Sequence, residues 1–140
     1  SMKLTYIIVN YNVTELLRKC IASIEKFSND IDYEVIVIDN RSTDLSWKTL
    51  IDEFPSVKFL ANPINEGFSK ANNHAAKVAT GEYLFFLNPD TEILGDYVKE
   101  LLDFVDLYCQ NCRKYFLEFM PRKKMLNCGF RYFLNIYVGL

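Results

Sequence analysis

Four short apolar runs, Thr5–Val9 (TYIIV), Glu34–Ile38 (EVIVI), Val57–Leu60 (VKFL) and Tyr83–Leu87 (YLFFL), alternate along this chain with segments whose apolar residues recur at helical spacing. A strand that is followed by a helix and then by another strand of the same sheet returns to the same end of that sheet, so the strands run parallel. Parallel strands are covered on both faces and read as unbroken apolar runs, as the fourth run does. The expected fold class is therefore α/β, a single Rossmann-like domain with a mainly parallel sheet flanked by helices.

The helices can be placed from their apolar faces. Leu16, Leu17, Cys20, Ile21, Ile24 and Phe27 fall on one side of a first helix, and Asn12 with Glu15 three residues later forms a variant of the capping box before it. Asp44 is placed to cap a second helix that carries Trp47, Leu50, Ile51 and Phe54 inward and ends at Pro55. Asn65–Ala79 reads as a turn and then a helix with a small-residue face (Ala71, Ala75, Ala76, Ala79), closed by Gly81 at a C-cap position. A last helix is expected from about Asp96 to Leu107, with Tyr97, Leu101, Leu102 and Val105 inward.

With 140 residues, half of them hydrophobic, the chain has material for one sizeable core and not for two. Charge divides it unevenly. Residues 1–106 carry 10 Lys or Arg against 17 Asp or Glu, whereas residues 107–140 carry 6 against 1. An acidic body argues against nucleic acid as a partner. Cys20, Cys109, Cys112 and Cys128 are too few and too unevenly spaced for a secreted disulfide scaffold, which points to a reducing compartment. Cys109 and Cys112 form a CxxC, but Cys128 has no fourth ligand beside it, so ordinary thiols are expected rather than a zinc site. No apolar run approaches the roughly 18 residues of a membrane span, and the start lacks a signal peptide's apolar region and cleavage site. The expected location is cytoplasmic, including the periphery of the inner membrane face.

The second run continues as EVIVIDNRSTD (Glu34–Asp44), so it delivers Asp39 and Asn40 to the carboxyl end of a buried strand. In open α/β sheets ligands bind outside that edge. Asn10–Asn12 after the first strand and Asn88–Thr91 after the fourth reach the same edge. A carboxylate at one strand end can accept hydrogen bonds from a base or ribose, and one on a neighbouring strand can hold a divalent ion against a diphosphate. Taken singly, Asp39, Asp44 and Asp90 are also what a turn residue, a helix cap and a solvated turn residue look like. His74, the only histidine, has no triad or metal-site spacing around it and reads as a solvated helix residue. A dinucleotide-binding fold would show GxGxxG after the first strand, where Asn10–Val13 stand instead, and no glycine-rich loop ends in GK.

The blocks YIIVNYN (Tyr6–Asn12), VIVIDNRSTD (Val35–Asp44), NEGFSKANNHAAKVATGEY (Asn65–Tyr83) and FLNPDTE (Phe86–Glu92), in that order, closely resemble the donor-binding half of family 2 glycosyltransferases, which have the GT-A fold. The resemblance implies transfer of a sugar from a nucleoside-diphosphate sugar, UDP- or dTDP-linked, to a saccharide or lipid-linked acceptor, inverting and metal-dependent, as in cell-wall or polysaccharide biosynthesis. It implies that Tyr11 and Asp39 hold the nucleobase, that Asn12, Asn40 and Ser42 shape that pocket, and that Asp90 ligates Mg²⁺ or Mn²⁺. Lys70 and Asn73 would lie near the donor phosphates or sugar. Many members carry Asp-x-Asp or Asp-Asp after the fourth strand. Here Asn88 takes the first position, where it can bond a ribose hydroxyl, and this NPDT version is similar to rhamnosyltransferase-like members.

The resemblance covers residues 1–106, a nucleotide-sugar-binding domain. Residues 107–140, basic and aromatic-rich, are an atypical tail expected to pack on the same domain or on a dimer mate. The family's general base lies beyond the matching half, and Glu118, the only carboxylate side chain after Asp106, sits in no acceptor-site motif. The catalytic base is therefore unassigned, with Glu92 and Asp96 as the nearest carboxylates past the metal motif. The second expectation for the chain is a donor-binding module that holds nucleotide sugar without efficient transfer.

Overall fold

The computed structural model describes residues 3–104 and 124–125. Cys109, Cys112, Glu118, Cys128, Val105 and the aromatic positions of the tail lie outside the described residues. Strand β1 (Lys3–Asn10) leads into helix α1 (Thr14–Phe27), β2 (Asp32–Asp39), a 3-10 turn (Leu45–Lys48) continuing into α2 (Thr49–Glu53), β3 (Lys58–Ala61), α3 (Phe68–Val78) and β4 (Tyr83–Leu87). Residues 98–104 are helical (α4), and Lys124–Met125 forms β5. The sheet order is β3-β2-β1-β4-β5, and each neighbouring pair is parallel.

β1 is central and is buried from Leu4 to Asn10. One face of the sheet presents Tyr6, Ile8, Val35, Val37, Tyr83 and Phe85 to Leu17, Cys20, Ile21 and Ile24 of α1, Leu50 of α2 and Leu102 of α4. The other face presents Ile7, Val9, Ile36, Ile38 and Leu84 to Ala71, Ala75, Ala76 and Ala79. Alternate residues of each strand thus feed two separate cores, as the period of two requires. The alanine face of α3 lets a helix cover the sheet with little side-chain bulk between them.

Three local expectations are corrected. Asn12 does not cap α1: the helix has Val13 at its N-cap with no side-chain hydrogen bond, because the Asn12 carboxamide is used across the cleft loops instead. Ile51 and Leu16 are exposed rather than inward. Gly81 is not the cap of α3, which ends at Val78 and has Ala79 as its C-cap. Gly81 lies where the chain passes so close to β1 that a Cβ would stand 2.7 Å from the Thr5 backbone nitrogen. Asp44 does cap its helix, accepting from Ser46 N at 2.9 Å, and Trp47 is buried and stacked on Phe59.

The same crossing holds a carboxylate. Glu34 Oε1 accepts from Thr5 Oγ1 at 2.7 Å, Thr80 Oγ1 at 2.9 Å and Thr80 N at 2.5 Å, and Gly81 N donates to Thr5 Oγ1 at 2.9 Å. Partial burial pushes the Glu34 pKa up, but the Thr80 and Thr5 hydrogen bonds and the Lys3 charge outweigh it, leaving the carboxyl below its ordinary 4.5. A depressed folded pKa means stability that is present above the unfolded value and lost as pH falls through the folded one. Urea unfolding of Glu34→Gln is therefore expected to show a loss below about 1 kcal/mol at neutral pH, since the group is largely solvent-screened. The gap from the parent should close as pH is lowered below 4.5. A gap of constant size across that range would remove the carboxylate from the lock.

Candidate functional site

The strand order sets where a crevice can form. From β1 the chain steps outward to β2 and β3 and then crosses to the other side of β1 for β4. The loops after β1 and β4 therefore leave in opposite directions, and such a switch point opens a crevice at the carboxyl ends. A cleft of about 460 Å³ lies there, lined by Val9 of β1, Tyr11 and Val13 of the loop after it and Leu16 of α1, Asn40 just after β2, Asn65, Gly67 and Phe68 around the start of α3, and Asn88, Pro89 and Asp90 after β4. Tyr11 and Phe68 stay half exposed at its mouth, at 48% and 52%.

Beneath the cleft, parallel register puts Asn10 beside Asp39. Asn10 Nδ2 donates to Asp39 Oδ1 at 2.9 Å, Ser42 Oγ donates to the same oxygen at 2.6 Å, and Ser42 N donates to Asp39 Oδ2 at 2.9 Å. Asp39 is 3% exposed, so its carboxylate is fixed from one side by three donors, with capacity remaining on Oδ2. Asn10 Oδ1 is buried and without a partner.

The β1 and β2 loops are stapled together. Ser42 Oγ accepts from Asn12 N at 2.9 Å, while Asn12 Oδ1 accepts from Thr43 N at 2.9 Å and Asp44 N at 3.0 Å. Asn12 (φ +55°) and Arg41 (φ +65°) adopt left-handed backbone, which costs a non-glycine residue free energy and is sustained here by those bonds. Gly67, at φ +81°, makes the corresponding turn into α3.

On the β4 side Asn88 is partly buried and Asp90 exposed, in a turn closed by Thr91 N to Asn88 O at 3.0 Å. That loop is held to α1 through Ile93 N to Ser23 Oγ at 2.9 Å and the Cys20 thiol, 3.9 Å from Asn88 O. Burial, with the nearby Asp90 and Glu92 charges, pushes Cys20 up to about 12. Its thiol is a packing group. Among the described residues no three of His, Cys, Asp and Glu cluster as a metal site.

The structure thus brings Tyr11, Asn40, Asn88 and Asp90 onto one cleft and sets Asn12, Asp39 and Ser42 in the layer that supports it. Lys70 and Asn73 are exposed on α3 and are not part of the cleft lining. Asn10, already placed at this edge by the strand pattern, acquires a role only through the β1–β2 register that sets it beside Asp39, and Asn65 emerges as a participant only through the turn it closes with Gly67 N at 2.9 Å.

The family model for glycosyl transferase family 2 matches residues 5–137. The chain belongs to that family. Similar proteins include a poly(ribitol-phosphate) beta-glucosyltransferase of Bacillus spizizenii, 33% identical over 97 residues, and glycosyltransferase GlyA of Streptococcus pneumoniae, 35% identical over 104 residues. These matches take in 66% and 71% of this chain but only 15% and 14% of those proteins. Residues 1–349 of S. aureus TarS, solved in complex with UDP-GlcNAc, superpose with a TM-score of 0.66 at 28% identity, covering 75% of this chain and 31% of TarS. The α/β domain and its parallel sheet are thus those of the TarS fold, as a GT-A-like assignment requires.

Proposed function

We propose that the chain provides the donor site of a glycosyltransferase that takes a sugar from a UDP- or dTDP-linked donor to a saccharide or lipid-linked acceptor. The observation that carries this reading is the meeting of the β1, β2 and β4 loops at one cleft, on a fold whose TarS relative has been solved with UDP-GlcNAc. Tyr11, half exposed at the mouth, offers a ring face to a base, and Asp39 offers an acceptor to a base N–H. Asn12 and Ser42 hold the two loops in register, and Asn88 offers an amide to a ribose hydroxyl. Lys70, exposed on α3, is long enough to swing toward a diphosphate, with Asn73 further along the same helix.

The donor set fits a divalent ion shared with the ligand rather than one held by protein alone. Asp90 is a single exposed carboxylate with Asn88 two residues before it, and Mg²⁺ characteristically takes one or two carboxylates plus phosphate oxygens and water. When bound, such an ion neutralises charge on the departing diphosphate. Asp90 would hold it, and the chain's other residues bind and orient the donor. Inverting stereochemistry and the NPDT likeness to rhamnosyltransferase-like members belong to the same proposal. Among the described residues no helix is long and apolar enough to cross a membrane, which is compatible with action at a membrane's inner face.

Calorimetry with UDP and dTDP, with and without Mn²⁺, tests the reading. Asp90→Ala is expected to abolish the Mn²⁺ enhancement of nucleotide binding while the melting temperature stays within a few degrees of the parent's, because its side chain is exposed. Equal enhancement in parent and variant would remove Asp90 from the metal site.

A further inference from the structure

Two carboxamides that line the cleft, Asn40 and Asn65, have orientations that can be deduced. Glu66 N donates to Asn40 Oδ1 at 3.1 Å and Gly67 N donates to Asn65 Oδ1 at 2.9 Å. A backbone N–H can only donate, so the atom facing it in each side chain is the oxygen. The nitrogen of Asn40 then meets Asn65 Oδ1 at 2.9 Å. Asn62 Nδ2 donates to Asn40 Oδ1 at 3.2 Å, which turns Asn62 Oδ1 toward His74 Nδ1, also at 3.2 Å. His74 Nδ1 is then the donor of that bond, the Nδ1–H tautomer, and Glu66 Oε2 lies 3.2 Å from the same nitrogen.

Both amide oxygens are now spent. Asn40 Oδ1 takes Asn62 and Glu66, and Asn65 Oδ1 takes Asn40 and Gly67. What remains free on these two cleft-lining residues is N–H: one proton on Asn40 Nδ2 and two on Asn65 Nδ2. N–H donors on the wall complement the C4 carbonyl oxygen that uracil and thymine carry. Cytosine presents an amino donor at the corresponding place.

We propose that Asn62 and His74 are positioning residues that lock the amides of Asn40 and Asn65 with their N–H groups toward the cleft, so that this wall selects a pyrimidine-dione base and rejects cytosine. The selection rests on the nucleotide-sugar reading above. Asn62 is suited to the task because it is buried, its own N–H is anchored to Asp39 O at 2.8 Å, and its two amide ends link β2 to α3. His74 closes the chain of bonds from the outer side of α3 and touches no ligand.

The test uses the full 140-residue chain and two ligands of equal charge, UDP and CDP, so that diphosphate and metal contributions cancel in the ratio of their affinities. The parent should prefer UDP by about tenfold or more, the worth of one mismatched polar contact. Asn65→Asp keeps the shape and the oxygen that faces Gly67 N but replaces the free N–H₂ by an acceptor, and should lower the UDP/CDP ratio by about tenfold. Asn62→Leu and His74→Leu should each lower it by about threefold. His74→Asn, whose Nδ2 can stand where Nδ1–H was, should restore it. Melting temperatures identify any variant that fails to fold; if Asn62→Leu does, His74→Leu, on an exposed residue, carries the positioning test, and Asn65→Asp, also exposed, carries the polarity test. A parent that binds UDP with a ratio unmoved by Asn65→Asp overturns the polarity assignment and leaves the donor site standing. Ratios unmoved in folded Asn62→Leu and His74→Leu, with Asn65→Asp effective, overturn the positioning roles. A parent that binds neither nucleotide overturns the nucleotide-sugar reading itself.

Discussion

Gly81→Ala is expected to destabilise the fold by about 3 kcal/mol, more than any change at the cleft mouth. The added Cβ would stand 2.6 Å from Thr5 Oγ1, 2.7 Å from Thr5 N and 3.0 Å from the Leu4 carbonyl carbon, and two of those three atoms are backbone of the central strand. Backbone in the middle of a parallel sheet cannot move aside without disturbing the ladders on both sides, here β1 with β2 and β1 with β4. The segment carrying Gly81 must retreat instead, which costs the Gly81 N to Thr5 Oγ1 bond and loosens the Thr80 donors from Glu34. The effect on the cleft should be slight, because Thr80 and Gly81 lie beyond the far end of α3 from Phe68 and Gly67. Urea unfolding is the measurement. A variant within 0.5 kcal/mol of the parent, the usual range for a surface substitution, would show that the segment has room to shift.

That position also marks where sequence patterns stop being informative. A glycine just past a helix resembles a C-cap, and nothing in the neighbouring letters shows that it faces Thr5, seventy-six positions earlier. By contrast the strands and helices were legible because their signals are local: the runs at Thr5–Val9 and Tyr83–Leu87 and the alanine face of α3 depend only on period and burial. Asp44 was readable as a cap for the same reason, since its acceptor works two residues along. Asn12 was not, because its local use, capping α1, competed with a better one across thirty-one positions, and three donors from the β2 loop outweigh one N–H at a helix end. The links made by Asn62 and His74 could not be read from the letters for the same reason. Their partners, Asn40 and Glu66, come from a different strand end and from the last residues before α3, and only the fold sets them side by side. The strand-end polar groups could be found because a parallel sheet collects them by topology, whatever the individual contacts turn out to be.

Asp39→Asn is expected to weaken UDP and dTDP binding by about 1.5 to 3 kcal/mol, the range for a hydrogen bond to a charged group. Two effects act together, and they can be separated. The first is loss of the charged acceptor that a base N–H would use. The second arises beneath the cleft, where Asp39 Oδ1 faces Asn10 Nδ2 and Ser42 Oγ while Oδ2 faces Ser42 N. A carboxamide must turn its N–H₂ toward one of those groups. Toward Ser42 N or Asn10 Nδ2 two donors would confront each other, and the hydroxyl of Ser42 is the only partner able to rotate and accept. The side chain should therefore settle with its nitrogen on the Asn10 side, leaving Asn10 Nδ2 only its longer 3.4 Å bond to Ser42 Oγ in a site that is fully buried. A buried donor left so poorly paired costs up to about 1 to 3 kcal/mol, so the variant should also unfold at lower urea. The control is Asn10→Ala, which removes the opposing donor. Combined with Asp39→Asn it should recover part of the stability without recovering nucleotide affinity, since the charged acceptor is still missing. If the double variant regains both together, the contribution of Asp39 is to hold the loops, and its contact with the base is excluded. If Asp39→Asn alone binds UDP and dTDP as tightly as the parent, the base is read by other groups in the cleft.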